Sequence, residues 1–215
     1  MTIPDAGQVR HSYHHGDLRQ ALLSAGVELA REGGPEAVVL REATRRVGVS
    51  PNAAYRHFAD REALLAAVSD AALAELATSI DRHLAAIPDG DPETVARARL
   101  RAVGTGYVAF AQDNPQLFRT AFSVPTEVRD PRAPALSGPS GLTPFGLLGL
   151  ALDQFVASGI MPPERRPQAE FLAWSSVHGL SMLLIDGPLR MLPRAQADAV
   201  TQRVIDMVEA GFTAP

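Results

Sequence analysis

Apolar residues recur along this chain at the three- and four-residue spacing that is typical of one helix face. The first such stripe is Leu18, Leu22, Ala25 and Leu29, which begins after Gly16-Asp17 and stops at Gly33-Gly34-Pro35. No segment alternates convincingly between polar and apolar residues, so the pattern predicts an all-α fold. The other predicted helices lie at about 40–47, 51–58, 61–87, 93–113, 115–122, 143–158, 167–186 and 193–212.

The helix predicted after Asp60 is by far the longest, at about 27 residues or roughly 40 Å. Three short helices precede it, and a Pro-Asp-Gly-Asp-Pro break follows it. We therefore predict a short-helix head at 1–62 and a longer-helix body at 63–215. Residues 123–142 contain four prolines and two glycines without periodicity and are predicted to form a mobile loop. The apolar stripe of the long helix is Leu64, Val68, Ala72, Leu76, Ile80, Leu84 and Ile87.

The composition, with 46% apolar and 20% charged residues, is typical of a soluble globular protein. Cysteine is absent, which excludes disulfides and thiolate metal sites and fits a reducing cytoplasm. Residues 1–7 lack the pattern of a secretory signal, and apolar runs such as 180–185 are far shorter than the ~20 residues of a membrane span. We therefore expect a cytoplasmic protein with no membrane partner.

The charge is distributed unevenly along the chain. The formal net charge of −4 does not by itself indicate a nucleic-acid partner. Residues 1–62 carry eight arginines and eight acidic residues, whereas residues 63–215 carry twelve arginines and sixteen acidic residues. Four of the six histidines also lie in the first part. This distribution is weak support for DNA binding by the head.

Residues 40–58 have the form of a helix-turn-helix, with Gly48 at the turn, where only glycine adopts a positive φ at little cost. A helix that enters the major groove reads base edges with its N-terminal residues. Asn52 can pair with adenine, and Ala53 can contact a thymine methyl group. The alternative is two amphipathic helices with an ordinary solvated face. The residues predicted to face outward are Arg41, Arg45, Ser50, Asn52, Ala53, Tyr55, Arg56 and His57; those predicted to pack inward are Val47, Val49, Ala54 and Phe58.

The run from Val47 to Leu65, with its Gly-Val-Ser turn and its Tyr-Arg-His-Phe ending, closely resembles the TetR family signature. The match covers roughly residues 14–68. The resemblance implies an all-helical homodimer that grips a pseudopalindromic operator in double-stranded DNA with this head. It also implies a C-terminal body that binds ligand and dimerises, and a repressor that a small-molecule effector releases. No cofactor is implied.

The resemblance also assigns individual residues of the head. It implies that Arg41 and Thr44 lie on the supporting helix and that Arg61 contacts phosphate. Thr44 departs from the family pattern, in which alanine is usual, so helix packing or a phosphate contact is expected to differ there. Ala53-Ala54 makes the recognition helix less polar than usual, so readout is expected to depend on Asn52, Arg41 and DNA shape. The DNA-facing set that it implies is Ser50, Asn52, Ala53, Tyr55 and His57, and Arg56 joins it at the rim.

The segment Tyr13–Arg19 resembles the opening of one TetR subfamily. Arg10 can act as an arm in the minor groove, with His15 or Arg19 on phosphate; the alternative is a frayed, solvated terminus. A metal site at His11, His14 and His15 lacks a carboxylate or thiol to complete it, so we expect no metal.

In the body, the sequence Trp174-Ser175-Ser176-Val177-His178-Gly179 is similar to the Trp-His-Gly type of TetR C-terminal domain, and Asn114–Phe118 fits the same pattern. Trp174 and His178 share one helix face, where they form part of either a pocket or an ordinary core. The resemblance implies an effector pocket for a hydrophobic or aromatic molecule. Its candidate lining residues are Tyr107, Phe110, Phe118, Phe122, Phe145, Phe155, Trp174 and His178.

The last two predicted helices are expected, by the same resemblance, to pair with a second copy. Two heads about 34–36 Å apart would match successive major grooves. The effector is expected to change this separation through the long helix. The alternative is that the apolar stripe of the last helix packs only on its own body. That stripe is Val200, Val204, Met207, Val208 and Phe212.

Two other functions stay open at this point. One is a ligand-independent regulator or an activator on the same fold. The other is a helical enzyme that uses His178 with Asp186 or another carboxylate. Against the enzyme, the sequence has no nucleophile elbow, no His-Glu-x-x-His motif and no phosphate-binding glycine loop. We therefore expect a protein that is not an enzyme.

Overall fold

The computed structural model describes residues 15–125 and 132–213, and these residues are helical with no strand. The all-α prediction is therefore confirmed. Short 3-10 helices lie at Pro35–Ala37, Pro134–Leu136 and Pro163–Arg165. The α-helices are α1 His15–Gly33, α2 Leu40–Val47, α3 Pro51–Ala54, α4 Arg61–Ala85, α5 Pro92–Asp113, α6 Pro115–Ala121, α7 Pro144–Ala157, α8 Ala169–Ile185 and α9 Arg194–Thr213.

Helices α1 to α3 form a head that sits on the first half of α4. Leu22 of α1 and Leu64 of α4 are fully buried in this contact. The two helices approach closely at Gly26, because a Cβ atom there would lie only 2.7 Å from Cγ2 of Val68. The head is therefore packed directly on the helix that continues into the body.

Helix α4 is the central element of the molecule and packs against α1, α5, α6 and α7. Asp60 caps it, since its Oδ1 accepts a hydrogen bond of 2.7 Å from the backbone N–H of Ala63. Among the described helices, α4 alone has a length and composition that would suit a membrane span. More than half of that apolar segment is buried inside the fold, as expected for a core helix.

The predicted bounds of α2 are confirmed, but two other predictions are corrected. The recognition helix ends at Ala54 rather than Phe58, because the chain turns over residues 55–57 and tucks Phe58 into the core. The predicted mobile loop is packed over 132–142, where Leu136 is buried and Gly138 lies against α4. Residues 126–131 of that loop lie outside the described residues.

Candidate functional site

The turn between α2 and α3 presents one surface of the head. Gly48 ends α2 in the left-handed conformation, with φ 75° and ψ 32°. Its N–H and that of Val49 both bond to the carbonyl of Thr44, the latter at 3.1 Å. This left-handed residue reverses the chain so that Pro51 can start α3 immediately.

Helix α3 is anchored on one side and exposed on the other. Ala54 is fully buried, whereas Asn52 and Tyr55 are exposed, Tyr55 by 56%. Ser50 occupies the N-cap position but makes no side-chain capping bond, so its exposed hydroxyl is not used within the helix. Ala53 and His57 lie at the edge of this surface and are partly buried.

The arginines of this surface differ in how they are paired. Arg45 and Arg46 are held by carboxylates, Arg45 by Glu42 at 2.6 Å and Arg46 by Glu32 at 2.5 Å. Hydrogen bonds from these arginines lower the pKa of both carboxyl groups. Arg41 and Arg56 are exposed, and within the described part of the chain no side chain pairs with either. They are therefore the cations of this surface that are available to a phosphate.

Two residues of the predicted DNA-binding set are turned inward. Thr44 is only 2% exposed, and its hydroxyl donates to the carbonyl of Arg41 at 2.7 Å. The hydroxyl of Thr44 is therefore used within α2 and is not presented at the surface of the head. Arg61 donates from Nη2 to the carbonyl of Pro35 at 2.7 Å, so one nitrogen of its guanidinium is already hydrogen-bonded within the head.

The predicted N-terminal arm falls mostly outside the described residues. This applies to Arg10, His11, His14 and the side chain of His15. Arg19 is described, and its guanidinium carbon lies 5.0 Å from the ring centroid of Phe58. This cation–π contact holds Arg19 against the end of the helix-turn-helix.

The body contains a cavity of about 840 Å³ that includes space open to solvent. Helices α4, α5, α7, α8 and α9 all contribute to its wall, and most of the wall is carbon. The residues that line it are Leu73, Leu100, Val103, Gly104, Tyr107, Phe122, Leu136, Thr143, Pro144, Phe145, Leu148, Ala173, Trp174, Val177, Ile205 and Val208.

A short hydrogen-bond chain runs from two residues of the cavity wall to His178. Trp174 Nε1 donates to Tyr107 Oη at 3.0 Å, and Tyr107 Oη lies 2.8 Å from Nδ1 of His178. Burial raises the pKa of Tyr107 and lowers the pKa of His178. Both shifts favour the neutral forms, so the bond between the phenol and the imidazole joins two uncharged groups.

Both halves of the chain match models of one family. Residues 22–68 match the model described as "Bacterial regulatory proteins, tetR family". Residues 100–208, just over half of the chain, match "Tetracyclin repressor-like, C-terminal domain". The chain belongs to the TetR family. It is a transcriptional regulator with an N-terminal DNA-binding domain.

Solved structures share this TetR fold over nearly the whole chain. A protein of unknown function from Rhodococcus sp. RHA1 is 26% identical, with a TM-score of 0.72, over 95% of this chain and 100% of that one. TetR from Acinetobacter baumannii AYE is 21% identical, with a TM-score of 0.62, over 94% and 97%. A variant of that TetR in complex with minocycline is 22% identical, with a TM-score of 0.56, over 94% and 97%. No curated protein matches the chain.

The structure of this TetR-family protein brings half of the predicted pocket residues to the cavity. Tyr107, Phe122, Phe145 and Trp174 line it. The other four do not line the cavity. Phe118 and Phe155 are fully buried, Phe110 is 3% exposed, and His178 is hydrogen-bonded to Tyr107. The sequence does not show whether an aromatic residue lines the cavity or lies in the core, because both environments are apolar.

Several lining residues of this TetR-family body were missed by sequence reasoning. Most are aliphatic or small, such as Leu73, Val103 and Ala173, and they resemble the core in the sequence. Thr143 did leave a signal, because threonine before proline is typical of a helix N-cap. Its Oγ1 does cap α7 by accepting from the N–H of Gly146 at 3.0 Å.

Proposed function

We propose that this protein is a cytoplasmic homodimeric repressor that binds a pseudopalindromic operator and is released by a small hydrophobic effector. The observation that carries the proposal is that α4 connects an exposed polar head to an apolar cavity. Asp60 starts α4 within the head, and Leu73 of the same helix lines the cavity. No cofactor is needed for this function. The related TetR variant that holds minocycline supports a ligand site in a body of this fold.

The head is proposed to read DNA with the exposed side of α3. Asn52 is placed to pair with adenine, with Ser50 and Tyr55 beside it. Arg41 and Arg56 supply phosphate contacts, because no described carboxylate holds either one. Ala53 and His57 complete the surface at its edge, and Arg61 joins it only if its bond to Pro35 opens.

The dimer is proposed to form through α8 and α9. Leu172, Ser175, Gly179 and Leu183 are exposed and share one face of α8 by their spacing. A Cβ atom at Gly179 would meet nothing within 4 Å, so a second helix can approach closely there. The predicted apolar stripe of α9 is exposed only in part. Met207 is 62% exposed, whereas Phe212 is buried. The remaining residues are packed on the body: Val200, Val204 and Val208. A second copy would cover the exposed part.

Release of DNA is proposed to be transmitted through α4 and α6, the helices that contact both the cavity and the head. Arg31 of α1 donates to Oδ1 of Asn114 at 2.9 Å and pairs with Glu75 of α4. Asn114 begins α6, and Phe122 at the end of α6 lines the cavity. A ligand that moves α4 or α6 would therefore shift the head through these contacts. A coupling of about 1–3 kcal/mol would weaken operator binding roughly 5- to 150-fold.

Two finer assignments are also proposals. The body is assigned to the Trp-His-Gly type, and the shared bonding of Trp174 and His178 with Tyr107 supports this assignment. The boundary at residue 62 is kept as a functional division, although α4 packs against elements on both sides of it.

The alternative of an enzyme that uses His178 gains little from the structure. Asp186, its suggested partner, is paired with Arg119, and Nδ1 of His178 is engaged by Tyr107. An activator differs from our proposal in its effect at the promoter, and a ligand-independent regulator differs in that no ligand releases it from DNA.

The test is a reporter gene placed behind the DNA fragment that the protein selects from its own genome. Wild-type protein is expected to lower expression from this fragment, and Asn52→Ala is expected to restore it. Arg190→Ala, at an exposed arginine of the body, serves as an expression control. Higher expression with the wild type would indicate an activator, and no difference between wild type and Asn52→Ala would contradict the assignment of the head.

A further inference from the structure

The wall of the body cavity carries no charge among its described residues. Leu100, Val103, Leu148 and Val177 give it a carbon surface on several sides. A carboxylate or ammonium group placed against such a surface loses its hydration and gains no partner. The wall therefore disfavours charged ligands.

Only a few polar groups reach the cavity, and most are already satisfied. The indole N–H of Trp174 and the phenol of Tyr107 are used in the chain that ends at His178. Thr143 differs, because its oxygen accepts from the N–H of Gly146 while no described acceptor takes its own hydroxyl proton. Thr143 lines the cavity and is only 3% exposed, so its hydroxyl proton is a buried donor that has no partner among the described residues.

We propose that the cavity binds an uncharged, mainly apolar ligand whose oxygen accepts a hydrogen bond from the hydroxyl of Thr143. This inference rests on the proposed function, since it takes the cavity to be the effector site. The class comprises aromatic or alicyclic ketones, esters and ethers rather than acids or amines.

Two further features of the site fit this class. Thr143, Pro144 and Phe145 all line the cavity at the start of α7, where the partial positive charge of the helix N-terminus favours an acceptor oxygen. Phe122 and Trp174 lie with ring centroids 6.3 Å apart, and Phe145 and Trp174 lie 6.0 Å apart. These aromatic faces suit a flat ring attached to that oxygen.

Three compounds with one skeleton test the ligand class: 2-acetylnaphthalene, 2-ethylnaphthalene and 2-naphthoate. Their affinities for the full-length wild-type protein are measured by equilibrium dialysis at pH 7.5. The ketone is expected to bind about fivefold more tightly than the hydrocarbon, the gain of one hydrogen bond. The carboxylate is expected to bind more weakly than both.

Variants at Thr143 test the assigned donor. Thr143→Ser keeps the cap and the hydroxyl and is expected to keep the advantage of the ketone. Thr143→Val lacks both, and Thr143→Asp keeps a capping oxygen without a hydroxyl donor. In both of these variants the ketone is expected to lose its advantage over the hydrocarbon, and binding of the hydrocarbon shows that the cavity is intact.

The inference is overturned if the wild type binds ketone and hydrocarbon equally, binds the carboxylate best, or binds none of the three up to its solubility limit. It is also overturned if the advantage of the ketone survives in both Thr143→Val and Thr143→Asp. Operator affinity, measured separately with and without the ketone, distinguishes this inference from the proposed function. Binding of the ketone without release of DNA would uphold the ligand class and contradict release.

Discussion

Tyr107 is the residue on which the polar side of the cavity depends. It is 4% exposed and bonds to both Trp174 and His178. Tyr107→Phe removes one hydroxyl and leaves two ring nitrogens without their partner. We expect the free energy of unfolding to fall by about 1–2 kcal/mol, measured by urea denaturation. Tyr55→Phe, at an exposed tyrosine of the head, is the matched control and is expected to leave stability unchanged.

His178 gives the body a dependence on pH with a defined sign. Because burial lowers its pKa in the folded state, the unfolded chain binds the proton more readily than the folded protein. Stability is therefore fully present above the ordinary histidine pKa of about 6.5 and falls as the pH drops through that value toward the lower pKa of the folded state. We expect His178→Gln to flatten this loss between pH 7.5 and 5.5.

Thermal unfolding at several pH values measures this effect, with His83→Gln as the control at another histidine of the body. A parallel loss of stability in His178→Gln and the wild type on acidification would contradict this role of His178.

At the scale of elements, the turn at Gly48 sets the direction of α3 relative to α2. Its φ of 75° is costly for any residue with a Cβ atom, although space is available because nothing lies within 4 Å of a Cβ built there. Gly48→Ala is therefore expected to lower the free energy of unfolding by about 1–2 kcal/mol through backbone strain alone. Gly48→Asn, which tolerates this conformation better, is expected to lose less. Chemical denaturation compares the two, and an equal loss would contradict the strain argument.

The sequence predicted most elements because their ends carry local signals. Asp60 precedes α4 in the sequence and caps it, and Gly48 ends α2. The end of α3 was missed because burial of Phe58, a tertiary contact, overrides the local helix preference after Ala54. Packing of Leu136 was missed for the same reason, since a proline-rich segment has no periodicity to reveal a contact with α4.

Helical spacing predicts which residues of the site are exposed, but it does not predict their contacts. Asn52 and Tyr55 are exposed as the pattern indicates, and Ala54 is buried. Thr44 could not be placed, because a threonine hydroxyl can satisfy itself on its own helix, as it does with Arg41. In the body, a wall residue such as Leu73 and a core residue such as Phe118 look alike in the sequence.

At the scale of the whole molecule, the proposed dimer depends on the exposed face of α8. Leu172 and Leu183 are 63% and 44% exposed, whereas Met191, which is 81% exposed, lies beyond the helix. A charge on the α8 face would be buried without a partner in a dimer. Leu172→Glu with Leu183→Glu is therefore expected to give a folded monomer, and Met191→Glu a dimer.

Light scattering coupled to size-exclusion chromatography measures the mass of each form, and circular dichroism checks that the variants stay helical. A monomeric wild type, or a double variant that stays dimeric, would contradict the proposed interface.

We propose that the exposed surface of α2 and α3 binds one DNA sequence. The most direct measurement is fluorescence anisotropy with the intergenic DNA beside the protein's own gene and with random DNA, at two salt concentrations. Asn52→Ala, Tyr55→Ala and Arg56→Ala are compared with the wild type, and Arg190→Ala, at an exposed arginine of the body, is the control.

We expect the wild type and Arg190→Ala to bind the intergenic fragment tightly, with a steep loss of affinity at higher salt. Asn52→Ala and Tyr55→Ala should bind this fragment more weakly, and Arg56→Ala should also reduce the salt slope by about one. Equal affinity for both DNAs, or variants of the head that bind as tightly as Arg190→Ala, would contradict this proposal.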